Sequence, residues 1–224
     1  MIIGVISDTH DLLRPEVVSA LQGCGYILHA GDISRPGILE ELNQIAPVTA
    51  VRGNNDFGGW AENLPLRLDL ALGGLRICMA HRKWDLPEDL SPYDLAVCGH
   101  SHQYACDWLE GDDGRRTLAL NPGSCGPGRF RQDITMVLLH VEADGFYAER
   151  VDLSGMQKRA ARKAGAGDLR KQIEVVIKET QKGRSVDAVA ERYGINRALA
   201  EQIARLYVTH PGVTADGIMA KMGL

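Results

Sequence analysis

The chain has 224 residues, 45% of them apolar and 24% charged, which allows one sizeable core with room for an appended unit. No apolar run approaches the ~18 residues of a membrane span, so no membrane role is expected. The net charge of -4 is unevenly spread: residues 1–154 carry 12 Lys/Arg against 22 Asp/Glu, and residues 155–224 carry 13 against 7.

That asymmetry predicts two units with different partners, or a basic tail docked on an acidic body. The opening MIIGVISDTH has no basic region before its apolar residues and no small-residue cleavage site after them, so no signal peptide is expected. Cys24, Cys78, Cys98, Cys106 and Cys125 form no C-x-x-C pair, which predicts reduced thiols in a cytoplasmic protein.

Ile2–Ser7 is a short apolar run and reads as a buried strand. Helical spacing follows over 14–23, with Pro15 suited to a helix start. A second strand over 26–30, a helix over 36–45 and a third strand over 48–51 complete a β-α-β-α-β pattern. Such alternation implies parallel strands covered by helices. Segments 66–72 and 75–80 flank Gly73-Gly74 and read as a hairpin, and 95–98 is another strand. Further strands are expected over 104–109, 115–120, 134–141 and 146–153. The core is therefore a mixed sheet, or two sheets packed together, with helices outside. From about Leu153 a basic, small-residue linker begins, and helices are expected over 169–182, 185–193, 197–208 and near 215–222. This divides the chain into a body, 1–154, a linker, 155–167, and a helical extension, 168–224.

Polar side chains recur where these strands end. Asp8 and His10 follow the first strand, Asp32 the second, Asn54 the third, His81 the fifth, and His100 and His102 the sixth. In open α/β sheets ligands bind at the carboxyl ends of strands. Seven Asp, Asn and His side chains converging there suit Mn, Fe, Zn or Ni. They are too many for one catalytic zinc, but two metals sharing a carboxylate use them all. His29 and His140 lie inside strand patterns and read as core or surface histidines.

The stretches ISDTH, HAGDI, VRGNND, the His81 segment, CGHSH and NPGS resemble the calcineurin-like metallophosphoesterases. More narrowly they are similar to the small YfcE-type phosphodiesterases, whose fold is shared by a retromer scaffold subunit. The resemblance implies a four-layer α/β-β/α sandwich. It also implies two divalent metals, manganese first, with nickel, iron, zinc or magnesium as alternatives. Asp8, His10 and His102 would bind one metal, Asn54, His81 and His100 the other, and Asp32 would bridge them. A hydroxide between the metals would hydrolyse a phosphate ester, with Asp32, Asn54 and His100 in the catalytic roles. Asn55, Arg82, Gly123 and Ser124 are the expected substrate contacts, although Asn121–Ser124 also reads as a plain tight turn. Many family members carry G-N-H where this chain has Gly53-Asn54-Asn55. The missing His is a general acid, and its absence favours substrates with good leaving groups.

Residues 185–208 have the apolar spacing of a helix-turn-helix, with Gly194 in the turn and Arg197, Gln202 and Arg205 as donors on the second helix. The extension is a candidate for nucleic-acid binding, or for self-association as a homo-oligomer. The function expected from the whole is a metal-dependent phosphodiesterase. The alternatives are a non-catalytic interaction module of the same fold and a nucleic-acid-binding regulator.

Overall fold

The computed structural model describes residues 1–111, 114–128, 133–154 and 166–223. Among the described residues, ten strands form two five-stranded sheets. The first has the order β10-β9-β1-β2-β3, built from β1 (Ile2–Ile6), β2 (Tyr26–His29), β3 (Val48–Ala50), β9 (Thr135–Val141) and β10 (Phe146–Asp152). The second has the order β4-β5-β6-β8-β7, built from β4 (Arg67–Leu72), β5 (Leu75–Ala80), β6 (Leu95–Val97), β7 (Tyr104–Glu110) and β8 (Arg116–Pro122). The strands β1, β2 and β3 run parallel, as do β5, β6 and β8, and the remaining pairings are antiparallel.

Each element follows from its sequence. Along β1, Ile3 and Val5 face the second sheet and pack with Met79, Val97 and Leu120, while Ile6 faces the helices. That is the period of two expected of a strand buried on both faces. Helices α1 (Pro15–Leu21) and α2 (Pro36–Asn43) each begin on a proline and cover the first sheet through Val17, Leu21, Ile38 and Leu42. On the second sheet Lys83 of the short 3₁₀ turn Lys83–Asp85 and the segment after it line a cavity of about 340 Å³ with the outer residues Ala96, Ala105 and Ala119. The two facing sheets with helices outside are the sandwich expected of the body. The short helix α3 (Gly59–Glu62) and the 3₁₀ turn escaped sequence reading, because one turn leaves no periodic signal.

Among the described residues four helices follow: α4 (Ala166–Gln181), α5 (Val186–Tyr193), α6 (Arg197–Thr209) and α7 (Ala215–Lys221). Residues 155–165, most of the expected linker, lie outside the described set, and α4 begins at Ala166. Ser185, Asn196 and Thr214 cap α5, α6 and α7 by accepting a hydrogen bond from a first-turn amide, and Gly194 turns left-handed between α5 and α6. These helices share their own core, including Ile173, Val176, Val189, Ile203 and Ile218. That core also encloses Leu12 of the body, which is 3% exposed. No helix among the described residues is long and apolar enough to cross a membrane.

The donors expected for a nucleic-acid groove on α6 are placed differently. Gln202 is buried, Arg205 donates to the Asp11 carbonyl of the body, and Arg197 pairs with Asp187 and Glu201. Periodicity had put these residues on one helix but could not say which face the body would cover.

Candidate metal centre

The parallel strands β1, β2, β3, β5 and β6 all end at one edge of the sandwich, and each feeds a polar loop there. Asp8 and His10 come from the loop after β1, Asp32 after β2, Asn54 after β3, His81 after β5, and His100 and His102 after β6. Asp8, His10 and His102 place one ligand atom each within 4.8 Å of one another, and so do Asp8, Asp32 and His81. His102 Nε2 lies 3.2 Å from Asp8 Oδ1, and His10 Nε2 lies 3.7 Å from Asp32 Oδ2. His81 Nε2 lies 3.4 Å from Asp32 Oδ1 and 3.1 Å from Asn54 Oδ1. His100 joins through its backbone, whose N–H donates to Asp8 Oδ2, and its ring meets that of His81 edge-on. All seven expected ligands therefore gather in one place.

The arrangement suits cations. Asp8 Oδ1 is buried and has no hydrogen-bond donor, while the ring nitrogens of His10 and His102 meet at 3.2 Å. A buried carboxylate oxygen without a donor among the described residues is costly unless a cation accepts its lone pair, and two imidazoles converge beside it. The ring of His81 is already oriented for this. Its Nδ1–H donates to the Ala30 carbonyl at 2.7 Å, so in the neutral ring the lone pair sits on Nε2, which is aimed at Asp32 and Asn54.

Charge is tuned to match. Burial raises the Asp8 carboxyl, but His102 and the Ser7 hydroxyl outweigh it and hold Asp8 below its ordinary value. Burial likewise opposes ionisation of Asp32, yet His81 and the Asn55 amides hold it well below the carboxylate range. For His81, burial is outweighed by Asp32 and Asp8, and its pKa is raised.

Local backbone explains the residues flanking the ligands. Asp8, His10, Asp32, His100 and His102 all have left-handed φ, between 43° and 68°. Non-glycine residues adopt this region only when their surroundings hold them there. The glycines before Asn54 and His100 are there for close approach. A Cβ on Gly53 would lie 2.1 Å from the Asp32 nitrogen, and one on Gly99 would lie 1.9 Å from Ser7 Oγ.

Asp56 holds two of these loops and was missed in the sequence. Its Oδ1 accepts from the amides of Ile33 and Ser34, and its Oδ2 from those of Gly53 and Asp32. It thereby ties the Asp32 loop to the Asn54 loop. The only signal was its place at the end of VRGNND, where Asp reads as an ordinary turn residue.

The expected substrate contacts separate into two groups. Arg82 lines a cavity of about 340 Å³ beside the centre, together with Arg52, Asn54, Phe57 and His81, while also pairing with Asp85. Trp84, 67% exposed, stands edge-on to the His100 ring. Asn55 is turned inward instead: its backbone N–H and its Nδ2 donate to the two oxygens of Asp32, each at 2.7 Å. Ser124 donates to the Asp8 carbonyl, and the Gly123 amide donates to Asn121 Oδ1. Asn121 Nδ2 donates in turn to the Gly99 carbonyl, so the NPGS turn braces the Asp8 and His100 loops. His29 is fully buried, with Nε2 against the Thr9 hydroxyl, whereas His140 pairs with Glu149 at the surface.

Known proteins resemble the body in sequence and fold. The model of the calcineurin-like phosphoesterase superfamily domain matches residues 1–144. A probable metallophosphoesterase of Methanothermobacter thermautotrophicus is 36% identical over 152 residues, 62% of this chain and 85% of the relative. A probable metallophosphoesterase of Methanocaldococcus jannaschii is 33% identical over 139 residues, 55% of this chain and 68% of the relative. Among solved structures, a predicted phosphoesterase from Streptococcus pneumoniae superposes with a TM-score of 0.52 at 26% identity, covering 67% of this chain and 88% of its own. Vps29 of Chaetomium thermophilum has the same fold, with a TM-score of 0.52 at 22% identity over 67% of this chain and 97% of its own.

Proposed function

The chain belongs to the calcineurin-like phosphoesterase superfamily, and on that premise we propose that it is a phosphodiesterase served by two divalent metal ions, manganese foremost. The observation that carries the reading is the gathering of Asp8, His10, Asp32, Asn54, His81, His100 and His102 at one sheet edge, with a buried carboxylate oxygen left without a donor. Asp8, His10 and His102 would hold one ion, Asn54, His81 and His100 the other, and Asp32 would serve both. When bound, such ions supply positive charge to the phosphoryl oxygens and acidify a water.

The protein's own groups set the rest. Asn55 holds both oxygens of Asp32 in place, so the shared carboxylate needs no reorganisation. Asn54 is exposed and neutral, so it meets an anionic phosphate without adding negative charge. The cavity beside it, with Arg52 and Arg82 in its wall, gives room for a second ester arm. Asn55 occupies the place where an acid would protonate the leaving group, and its amide cannot do so. Esters with good leaving groups are therefore favoured. A cytoplasmic setting fits five cysteines that are all unpaired.

The test is hydrolysis of a bis-aryl phosphate by protein stripped with a chelator and reloaded with manganese. Wild type should turn over only when reloaded, and Asp32→Ala should abolish turnover. A wild type that binds no metal and hydrolyses nothing refutes the proposal. The scaffold reading, a non-catalytic interaction module of this fold, predicts that inert outcome.

A further inference from the structure

Among the described residues the centre takes no ligand from α4–α7, yet these helices grip the loop that carries its first two ligands. Arg205 Nη1 on α6 donates to the Asp11 carbonyl at 2.6 Å, one residue beyond His10. The next residue, Leu12, is buried in one hydrophobic cluster with Leu169, Ile173, Ile203 and Ile218 of the helical core. Arg14, fully buried, donates through Nη2 to the Lys221 carbonyl at the end of α7 and through Nε to the Gly126 carbonyl. The Gly128 amide donates to the same Lys221 carbonyl. Four separate contacts thus fix the helices to the segments just behind Asp8 and His10.

That loop needs holding. Asp8, His10 and Asp11 have φ of 55°, 43° and 65°, a left-handed region that L-residues leave unless constrained. On its inner side the body constrains it, because the amides of Asp8, His10 and Asp11 donate to the carbonyls of Gly31, Asp32 and Ile33. On its outer side the constraint comes from Arg205 and the pocket around Leu12. The Asp11 side chain pairs with Arg35, so the loop is held at its carboxylate, its amides and its carbonyl at once.

We propose that the C-terminal helices are a positioning element for the metal held by Asp8, His10 and His102, and that Arg205 is the positioning residue. The proposal rests on the metal-centre reading above. Its guanidinium fixes the Asp11 carbonyl and with it the turn that aims the His10 ring. Among the described residues, the second set, Asn54, His81 and His100, takes no hydrogen bond from the helices and provides an internal reference.

The experiment is a calorimetric Mn²⁺ titration of chelator-stripped, full-length protein. Arg205→Met keeps the aliphatic stem and removes the donors. It should weaken one of two Mn²⁺ sites about tenfold, or about 1.4 kcal/mol, and leave the other within about twofold. Arg205→Lys, which keeps a donor, should restore most of the affinity. Arg197→Met, on the same helix but 69% exposed and paired only within the extension, should change neither site. In a His102→Ala background, where the first site is already lost, Arg205→Met should have no further effect. Amide exchange at Asp11 and Leu12 in the metal-free protein should quicken about tenfold in Arg205→Met and not in Arg197→Met. Unchanged affinities, or equal weakening of both sites, overturn the proposal. So does unaltered exchange at those amides. A wild type that takes up no Mn²⁺ fails before any variant is compared, and so marks failure of the underlying metal reading instead.

Discussion

Asp56 offers the sharpest test of how the centre is built. Its carboxylate accepts four backbone N–H groups: Ile33 and Ser34 on Oδ1, both at 2.7 Å, and Gly53 and Asp32 on Oδ2, at 2.7 and 3.1 Å. Asp56→Asn preserves shape but exchanges one acceptor oxygen for an NH₂ group. Whichever way the amide turns, two of the four N–H groups face a donor. A buried donor left without an acceptor costs about 1–3 kcal/mol, so the pair predicts a loss of roughly 2–6 kcal/mol. Taking about 4 kcal/mol as the centre of that range, the midpoint of thermal unfolding should fall by roughly 8–16 °C for a chain of this size. Equilibrium urea unfolding of metal-stripped protein measures the loss without contribution from bound ions. The variant should also bind metal more weakly, because Asp32 and Asn54 ride on the two loops that Asp56 joins. A loss below about 1 kcal/mol refutes the reasoning, since it would mean that these amides find other partners.

Asn54→Ala should lose metal and activity together. Asn55→Ala should keep its metal but lose about tenfold in kcat, the worth of one hydrogen bond to a charged group, and Asn55→His should extend turnover to esters with poorer leaving groups; metal analysis and a panel of aryl and alkyl phosphate esters check all three. Burial lowers the His29 pKa from 6.5 to about 3, so the folded protein binds fewer protons than the unfolded one between those values. The stability that His29 contributes is complete above pH 6.5 and falls as pH drops, by about 2 kcal/mol between pH 6.5 and 5. In His29→Gln, the difference from wild type in urea unfolding should shrink by that amount over the same interval; a constant difference contradicts a buried neutral imidazole.

Much of this was legible in the sequence, for a definite physical reason. A parallel strand buried on both faces is a short apolar run, and the first polar residues after it must lie at the sheet's edge. Asp8, Asp32, Asn54, His81 and His100 could therefore be placed without coordinates. The glycines in G-D, G-N and G-H were visible as well, but their reason was not. It lies in close approaches such as Gly53 to the Asp32 backbone, between strands that are remote in sequence. Arg14 was hidden for the same reason, since its partners Gly126 and Lys221 lie 112 and 207 residues away. Gln202 shows the opposite failure. Helical spacing correctly placed it on α6, but only the packed bundle decides that its side of the helix is buried.

Asp56 and the hold of Arg205 on the Asp11 carbonyl do related work. Five ligands sit in left-handed backbone, and each such residue costs on the order of 1–2 kcal/mol relative to an ordinary conformation. A cost of that size has to be offset close to where it arises, or the loops relax and the ligands diverge. Asp56 offsets it at the Asp32 loop by holding three consecutive amides, Asp32, Ile33 and Ser34. The NPGS turn offsets it at the His100 loop, where Asn121 holds the Gly99 carbonyl. The Asp8–His10 loop takes one such bond from Ser124 on its own side, and the rest of its outer support comes from Arg205 and the enclosure of Leu12. A body lacking the extension would therefore need another device at this loop, such as a glycine in place of Asp11 or a capping side chain on its carbonyl. The charge asymmetry does not by itself explain this docking: Arg205 ends on a body carbonyl next to the centre, whereas Arg170, Lys182, Arg184 and Arg197 pair with acids inside the extension.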